Sequence, residues 1–145
     1  YTALGHPRVL GALRTRGLLA RDQQGIAAAL AYFDAGLAEC KRRELDHAMC
    51  DLLRANRAGF LARTGDGGTA MAEADAALAS LSAKGEEHDN DYAQALEAKA
   101  AAHDALGQTA DALARQEEAI AIYVRVFGEQ HPEVARARRN LDALR

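Results

Sequence analysis

Apolar residues recur at helical spacing along every long segment of the chain. Leu30, Phe33 and Leu37, for example, stand three and four residues apart. This spacing is typical of the buried face of a helix. Short segments that contain glycine separate these patterns and favour turns between antiparallel helices. The pattern predicts seven helices, at residues 7–22, 26–42, 47–63, 69–83, 90–106, 109–127 and 132–144.

The predicted helices belong to a repeat. Four histidines lie 41, 41 and 43 residues apart, at His6, His47, His88 and His131. Small residues recur in nearly the same register, as Gly17, Ala58 and Ala100, as Ala29, Ala70 and Ala112, and as Gly36, Ala77 and Ala119. Small side chains let two helices approach closely, and a fixed period of this length indicates a repeat architecture. The sequence therefore predicts stacked helical hairpins.

Several residues suit the start of a helix. Pro7 and Pro132 each follow a histidine and fit the first helical turn, where a missing N–H costs nothing. Asp89, Asn90 and Asp91 offer capping oxygens and negative charge at the fifth helix. We expect these residues to fix the places where the helices begin.

The histidine series does not predict a metal site. Stacked helices lie about 8–10 Å apart, whereas the ligands of one metal ion each lie about 2 Å from it. Equivalent histidines of successive repeats therefore cannot converge on one ion, and we expect them to have structural or capping roles. His103 is out of register, and we expect it to pack or to lie at the surface.

The last third of the chain resembles a known repeat. The stretch Phe127-Gly128-Glu129-Gln130-His131-Pro132, preceded by Ala119-Ile120-Ala121-Ile122-Tyr123, is similar to the roughly 42-residue tetratricopeptide repeat of kinesin light chains. Leu4-Gly5-His6-Pro7 is a second copy of this linker, whereas Glu44-Leu45-Asp46-His47 lacks its glycine and proline. In the fourth unit, Asp142 occupies the small-residue position.

The resemblance implies an all-α fold, a right-handed superhelical solenoid of antiparallel helix pairs. It implies about three and a half units in a single array over residues 1–145, at approximately 5–43, 44–84, 85–127 and a partial 128–145. We therefore expect the chain to be a fragment of a longer protein. Leu141 and Leu144 would then lie on an exposed terminal helix and could support self-association.

The resemblance also implies where a partner binds. In tetratricopeptide arrays the first helices line a concave groove, and their outward side chains usually carry the contacts. By register, these candidates are Arg14, Leu18, Arg21, Asn56, Arg63, Gln94, Glu97, Asp104, Arg136 and Arg139. The five-residue clamp that some family members use for a C-terminal carboxylate is mostly absent, because Leu18, Gln94 and Ala98 do not supply its contacts. We expect a protein or peptide partner other than a chaperone tail.

Charge and hydropathy restrict the class of partner. Residues 1–63 carry ten Lys and Arg against six Asp and Glu, residues 64–124 carry three against twelve, and residues 125–145 carry five against three. A nucleic-acid-binding module would carry a basic stripe throughout, so the acidic middle argues against nucleic acid. No apolar run approaches the roughly 20 residues of a membrane span. We expect a cytoplasmic protein.

Candidate catalytic and metal-binding patterns are weak. Cys40 and Cys50 form no CxxC motif, so zinc is disfavoured, and we expect reduced, partly buried thiols. Glu44 and His47 form one Glu-x-x-His, an element that di-iron bundles use twice. The sequence offers no phosphate-binding loop and no Ser/His/Asp set. We expect no metal and no cofactor.

These observations favour a non-enzymatic protein-interaction module. One alternative is a regulatory or sensor region of a bacterial signalling protein, next to a Ser/Thr kinase or a transcriptional regulator, since the composition rich in Ala and Arg resembles such repeats. A remote alternative is a helical metalloenzyme.

Overall fold

The computed structural model describes residues 6–23, 25–85 and 89–145, apart from the side chains of residues 6–8 and 21–23. This part of the chain contains seven helices and no strand. They are α1 (His6–Gln23), α2 (Ile26–Arg42), α3 (Ala48–Arg63), α4 (Gly67–Ala83), α5 (Asn90–Ala105), α6 (Thr109–Phe127) and α7 (Pro132–Leu144). All seven predicted helices are confirmed, with bounds that differ by no more than two residues.

The helices stack as a solenoid of antiparallel hairpins. Each helix packs against the next one in the chain. In addition, α1 contacts α3 and α3 contacts α5, whereas α2 and α4, and α4 and α6, make no comparable contact in the described part. An array whose first helices lie closer together than its second helices curves toward the first helices. Side chains of α1, α3 and α5 therefore share the inner face, and the bond from Arg136 of α7 to Glu97 of α5 joins α7 to it. We call this surface the first-helix face.

Each of the six joints between helices contains a residue with positive φ. Five of these residues are glycines, Gly25, Gly65, Gly85, Gly107 and Gly128, with φ between 74° and 92°. The exception is Glu44, between α2 and α3, with φ 52°. A glycine or asparagine in this conformation commonly ends a helix, because L side chains are disfavoured there. The backbone conformation of the second joint, between α2 and α3, is therefore less favourable than that of the five joints with glycine.

The core is built from small side chains and divides into two main clusters. The larger one joins α3 through α7 and is mostly alanine, with Tyr123 as its largest member. The other joins α1, α2 and α3 around Phe33 and Phe60, whose rings stack with centroids 5.3 Å apart. The first hairpin thus packs against the rest of the array through a cluster of its own.

Cys40 and Cys50 form a disulfide, so the expectation of reduced thiols is wrong. Cys40 lies in the last turn of α2 and Cys50 in the first turn of α3. The joint between them reverses the chain and brings their Cα atoms to 6.2 Å, within the range that a disulfide spans. The sequence separation of ten residues alone did not indicate this geometry.

Two of the register histidines cap helices. His47 Nδ1 accepts a hydrogen bond from the Met49 N–H at 3.0 Å, and His131 Nδ1 accepts one from the Glu133 N–H at 3.1 Å. The capping role is confirmed for these two. The side chain of His6 and all of His88 lie outside the described residues.

Of the other expectations about helix starts and histidines, the capping bond of Asp89 is wrong, and those for Asp91 and His103 are confirmed. Asp89 is the N-cap residue of α5 but makes no side-chain capping bond, so the expected capping oxygen is wrong there. Asp91 does place negative charge in the first turn. Asp66, which the sequence did not single out, caps α4 by accepting a bond from the Thr69 N–H at 3.3 Å. His103 is half-buried, as expected, with its Nδ1 2.7 Å from Gln108 Oε1.

The close approach of α1 and α2 predicts a stability difference between two glycine variants. A Cβ added at Gly17 would lie 2.7 Å from the buried ring of Phe33, whereas one at Gly59, inside α3, would have no atom within 4 Å. Gly17→Ala should therefore lower the free energy of unfolding by about 1–3 kcal/mol. Gly59→Ala, the matched control, should raise it by about 0.5–1 kcal/mol. Urea titration followed by circular dichroism measures both, and equal stabilisation would contradict the tight crossing.

Candidate functional site

Three predicted residues meet on the first-helix face. Arg14 of α1 donates from Nε to Asn56 Oδ1 of α3 at 2.6 Å and from Nη2 to Gln94 Oε1 of α5 at 2.8 Å. Each residue comes from a different first helix. Asn56 and Gln94 follow Arg14 by 42 and 80 residues in the sequence, and both contact its guanidinium. We call Arg14, Asn56 and Gln94 the amide triad.

The positive charge of Arg14 is held by neutral groups. Both of its hydrogen-bond acceptors are side-chain amides, and within the described residues no carboxylate oxygen lies within 4.0 Å of its guanidinium. Burial lowers the pKa of Arg14, and the more distant charges of Asp91 and Glu133 oppose that shift. Because arginine stays protonated in proteins, the triad presents a partly buried cation that pairs with no carboxylate in the described part of the chain.

A second network on the same face is centred on the half-buried carboxylate of Glu97. Its Oε1 accepts from Arg136 Nη2 at 2.6 Å and from the Tyr123 hydroxyl at 2.7 Å. Its Oε2 accepts from Gln116 Nε2 at 2.9 Å and from Asn140 Nδ2 at 3.1 Å. The carboxylate therefore links α5, α6 and α7, and we call these five residues the Glu97 network.

The Glu97 network shifts the pKa values of its members. Burial alone would raise the pKa of Glu97, but hydrogen bonds from Arg136, Gln116 and Tyr123 bring it below the ordinary value. Burial and the adjacent Glu97 raise the pKa of Tyr123. Burial would lower the pKa of Arg136, yet its bonds to Glu97 and Glu133 raise it. Glu97 is thus ionised and Tyr123 neutral near pH 7.

Two of the predicted groove residues, Glu97 and Arg136, form an ion pair with each other, whereas Arg14 bonds to neutral amides. Glu97 and Arg136 balance each other's charge and link α5 to α7, so their role within the described residues is structural. Tyr123, Gln116 and Asn140 complete this network, and none of the three was among the predicted groove residues. Gln116 is 2% exposed and also donates to the Ala137 carbonyl at 3.0 Å. The sequence signal for its burial was that Gln116 lies at helical spacing from apolar residues of α6 that face the core.

The other predicted groove residues lie apart from these two networks. Leu18 is half-buried and packs against the core cluster of the first hairpin. Arg63 is exposed, with its guanidinium 5.1 Å from the centroid of the Phe60 ring. Asp104 and Arg139 are exposed. The side chain of Arg21 lies outside the described residues.

The surface of the described part also contains two clefts away from the amide triad. One, of about 470 Å³, lies between α2, α3 and α4 and is lined by Cys40, Cys50 and several charged side chains. The other, of about 350 Å³, lies between α6 and α7. Among the described residues, no group of three or more His, Cys, Asp or Glu side chains is placed to hold a metal ion. None of the helices described is both long and apolar enough to cross a membrane.

Residues 92–133, from α5 through α6 to the start of α7, match the family model of the tetratricopeptide repeat. This segment is therefore similar to a tetratricopeptide repeat, as the sequence resemblance predicted. The match covers the segment in which the sequence resemblance was most extensive, and it includes Gln94, Glu97 and Tyr123. The same hairpin geometry extends to the tetratricopeptide-like units before it. No curated protein matches the sequence.

The lowered pKa of Glu97 predicts a pH-dependent effect of Glu97→Gln. Because the folded-state pKa lies below the unfolded value, ionised Glu97 stabilises the fold above about pH 4.5, and this stabilisation is lost as pH falls through the folded pKa. At pH 7 the variant should be less stable by about 1.5–3 kcal/mol, the range for hydrogen bonds to a charged group. The difference between the two proteins should shrink toward pH 3.

Urea unfolding of both proteins between pH 7 and pH 3 measures this difference. Taking the difference cancels contributions that the proteins share, including that of Asp91, whose pKa burial raises. Glu117→Gln is the matched control, because Glu117 is an exposed carboxylate on α6. A stability difference for Glu97→Gln that is constant with pH would contradict the assignment of an ionised, hydrogen-bonded carboxylate.

Proposed function

We propose that this tetratricopeptide array is a non-enzymatic module that binds a peptide or helix of a partner protein on its first-helix face. The match of residues 92–133 to a tetratricopeptide repeat supports a protein-interaction role. The amide triad carries the proposal of where the partner contacts the array, because it places on that face a cation that has no ion-pair partner among the described residues.

The amide triad suits a carboxylate side chain of the partner. Asn56 and Gln94 fix the guanidinium of Arg14 before any ligand arrives, so little side-chain freedom remains to be lost on binding. Arginine recognises carboxylates through strong, charge-assisted hydrogen bonds. In the free protein, the triad supplies neutral acceptors only, and an aspartate or glutamate of the partner would neutralise the charge.

The surface beside the triad is open. Gly11 lies three residues before Arg14 in α1, and Gly59 lies three residues after Asn56 in α3, so each is on the same helical face as its neighbour. A Cβ added at either glycine would meet no atom within 4 Å. This space would let the backbone of a partner segment approach the two helices closely.

The charges farther along the face favour a partner of mixed charge. Asp91 and Glu133 act electrostatically on Arg14, although neither pairs with it directly. Exposed Asp104 lies toward the end of α5, whereas exposed Arg139 lies on α7. We infer that one acidic residue of the partner contacts Arg14 and that basic residues flank it. Such complementarity mainly sets specificity and the rate of association.

Selection from a phage-displayed library of random peptides tests the proposal. Peptides selected on the wild-type array should be enriched in Asp or Glu, and Arg14→Ala should weaken their binding about tenfold or more, as for a central arginine contact. Binding should also weaken as the salt concentration rises. Fluorescence anisotropy with synthetic peptides measures both effects, and circular dichroism checks that the helices are retained.

Arg16→Ala is the matched control, because Arg16 is an exposed arginine on another side of α1. It should change binding by less than about twofold, as is usual for peripheral contacts. Gly59→Leu provides an independent variant, since the added side chain would fill the open space and should also weaken binding. Peptides that bind the wild type, Arg14→Ala and Gly59→Leu equally would place the binding site elsewhere.

A further inference from the structure

The joint between α2 and α3 departs from the other joints in two ways. It is the only one of the six described joints at which the positive-φ residue is not glycine, and it is the joint that the Cys40–Cys50 disulfide spans. Glu44 occupies the place that Gly85 and Gly128 hold after α4 and α6, in the register of the repeat. The strained residue and the disulfide therefore occur at the same joint, which suggests that they act together.

Glu44 is held in its left-handed conformation by the turn around it. The Glu44 N–H donates to the Lys41 carbonyl at 3.2 Å, and the Leu45 N–H donates to the Cys40 carbonyl at 2.9 Å. This pair of bonds is the Schellman pattern that normally has glycine at its left-handed position. A residue with a Cβ is disfavoured there, so the turn opens more easily than a turn with glycine unless another bond holds it closed.

The disulfide supplies that bond. Cys40 is also the residue whose carbonyl closes the turn, and Cys50 lies in the first turn of the next helix. The bond therefore ties the end of α2 to the start of α3 across the strained residue. Cys40 and Cys50 are each 6% exposed, and both line the cleft of about 470 Å³, which is the side from which a reductant would approach.

The first hairpin depends on this joint more than the later hairpins depend on theirs. It packs on α3 through the cluster around Phe33 and Phe60, which is separate from the core cluster shared by α3 to α7. Beyond that cluster, described polar links include the Asp34–Arg57 ion pair at 2.6 Å and the bonds of Arg14. A change at the joint would thus act on α1 and α2 first.

We propose that the Cys40–Cys50 disulfide is a redox-controlled latch that holds the first hairpin onto the array. A dithiol reductant opens it by thiol–disulfide exchange. One thiolate of the reductant attacks the sulfur of one cysteine, forms a mixed disulfide with it and releases the other cysteine as a thiolate. The second thiol of the reductant then attacks the reductant's own sulfur in the mixed disulfide and releases the first cysteine. The reductant leaves as a disulfide, Cys40 and Cys50 become thiols, and two electrons are transferred. The joint at Glu44 then relaxes, and the first hairpin loosens.

The latch also regulates the proposed binding face, a consequence that rests on the proposed function. Arg14 belongs to the first hairpin, whereas Asn56 and Gln94 belong to α3 and α5. Loosening the hairpin separates the cation from the two amides that fix it. Reduction should then weaken binding of the acidic peptides, while the loss of order in α1 and α2 is measurable without any peptide.

Hydrogen–deuterium exchange of the free chain, with and without dithiothreitol, tests the latch. Reduction should release two thiols per chain, counted with Ellman's reagent. Amide exchange in α1 and α2 should become about 30- to 100-fold faster, from the loop-closure entropy of a bridge of this size. Exchange in α5 and α6 should change by less than about twofold, because they belong to the other core cluster. The variant with both Cys40→Ser and Cys50→Ser should exchange at the reduced rate under both conditions.

A matched pair of variants at residue 44 tests the role of backbone strain. Under reducing conditions, Glu44→Gly should slow exchange of α2 about 5- to 30-fold relative to the reduced wild type, since glycine removes the cost of the left-handed conformation. Glu44→Ala removes the same carboxylate but keeps a Cβ, so it should exchange like the reduced wild type. Equal rates for the two variants would overturn the strain argument.

Three further outcomes would overturn the latch. One is the absence of free thiols after treatment of the folded chain with dithiothreitol. Another is the release of two thiols with unchanged exchange in α1 and α2. The third is equal acceleration in all seven helices, which would make the disulfide a general stabiliser. None of these measurements uses a peptide, so failure of the proposed binding function would leave their result intact.

Discussion

The structure depends on helix crossings at which no side chain larger than a methyl group fits. A Cβ added at Gly17 would lie 2.7 Å from Phe33, and one at Gly36 would lie 2.8 Å from Leu53. Ala58 and Ala100, which correspond to Gly17 in the register of the repeat, are almost fully buried. With only 5% aromatic residues, the chain cannot fill wide spaces between helices. Close crossing is therefore the way in which this composition reaches the packing density of a protein interior.

Close crossing also brings the first helices within reach of one another. Arg14 can then bond to side chains of α3 and α5, and Glu97 can collect donors from α6 and α7. The two polar networks nevertheless differ in their charge balance. In the Glu97 network a carboxylate meets a guanidinium, so its main result is cohesion. In the amide triad a guanidinium meets two neutral amides, so its charge is not balanced by a carboxylate among the described residues.

Sequence periodicity predicted the fold well and the polar contacts poorly. The small-residue series and the helical spacing reflect backbone packing, which repeats, so all seven helices were predictable. The shared face of Arg14, Asn56 and Gln94 was predicted from the resemblance to tetratricopeptide repeats. Pairing within that face depends on rotamers and on residues of second helices, such as Tyr123 and Gln116, which have no repeat signature. The disulfide was missed because it depends on how one particular joint reverses the chain.

Small differences in free energy decide whether the first hairpin stays packed on the array, as the joint between α2 and α3 shows. A left-handed residue with a Cβ costs about 1–2 kcal/mol relative to the same residue in a right-handed conformation. A disulfide that closes a loop of about ten residues contributes about 2–3 kcal/mol in the chain-entropy account. The bond thus outweighs the strain while it is intact, and the strain remains when it is cut. Glycine at this position would remove the strain but not the contribution of the disulfide, so Glu44 makes closure of the joint depend more on Cys40 and Cys50 than it would with glycine.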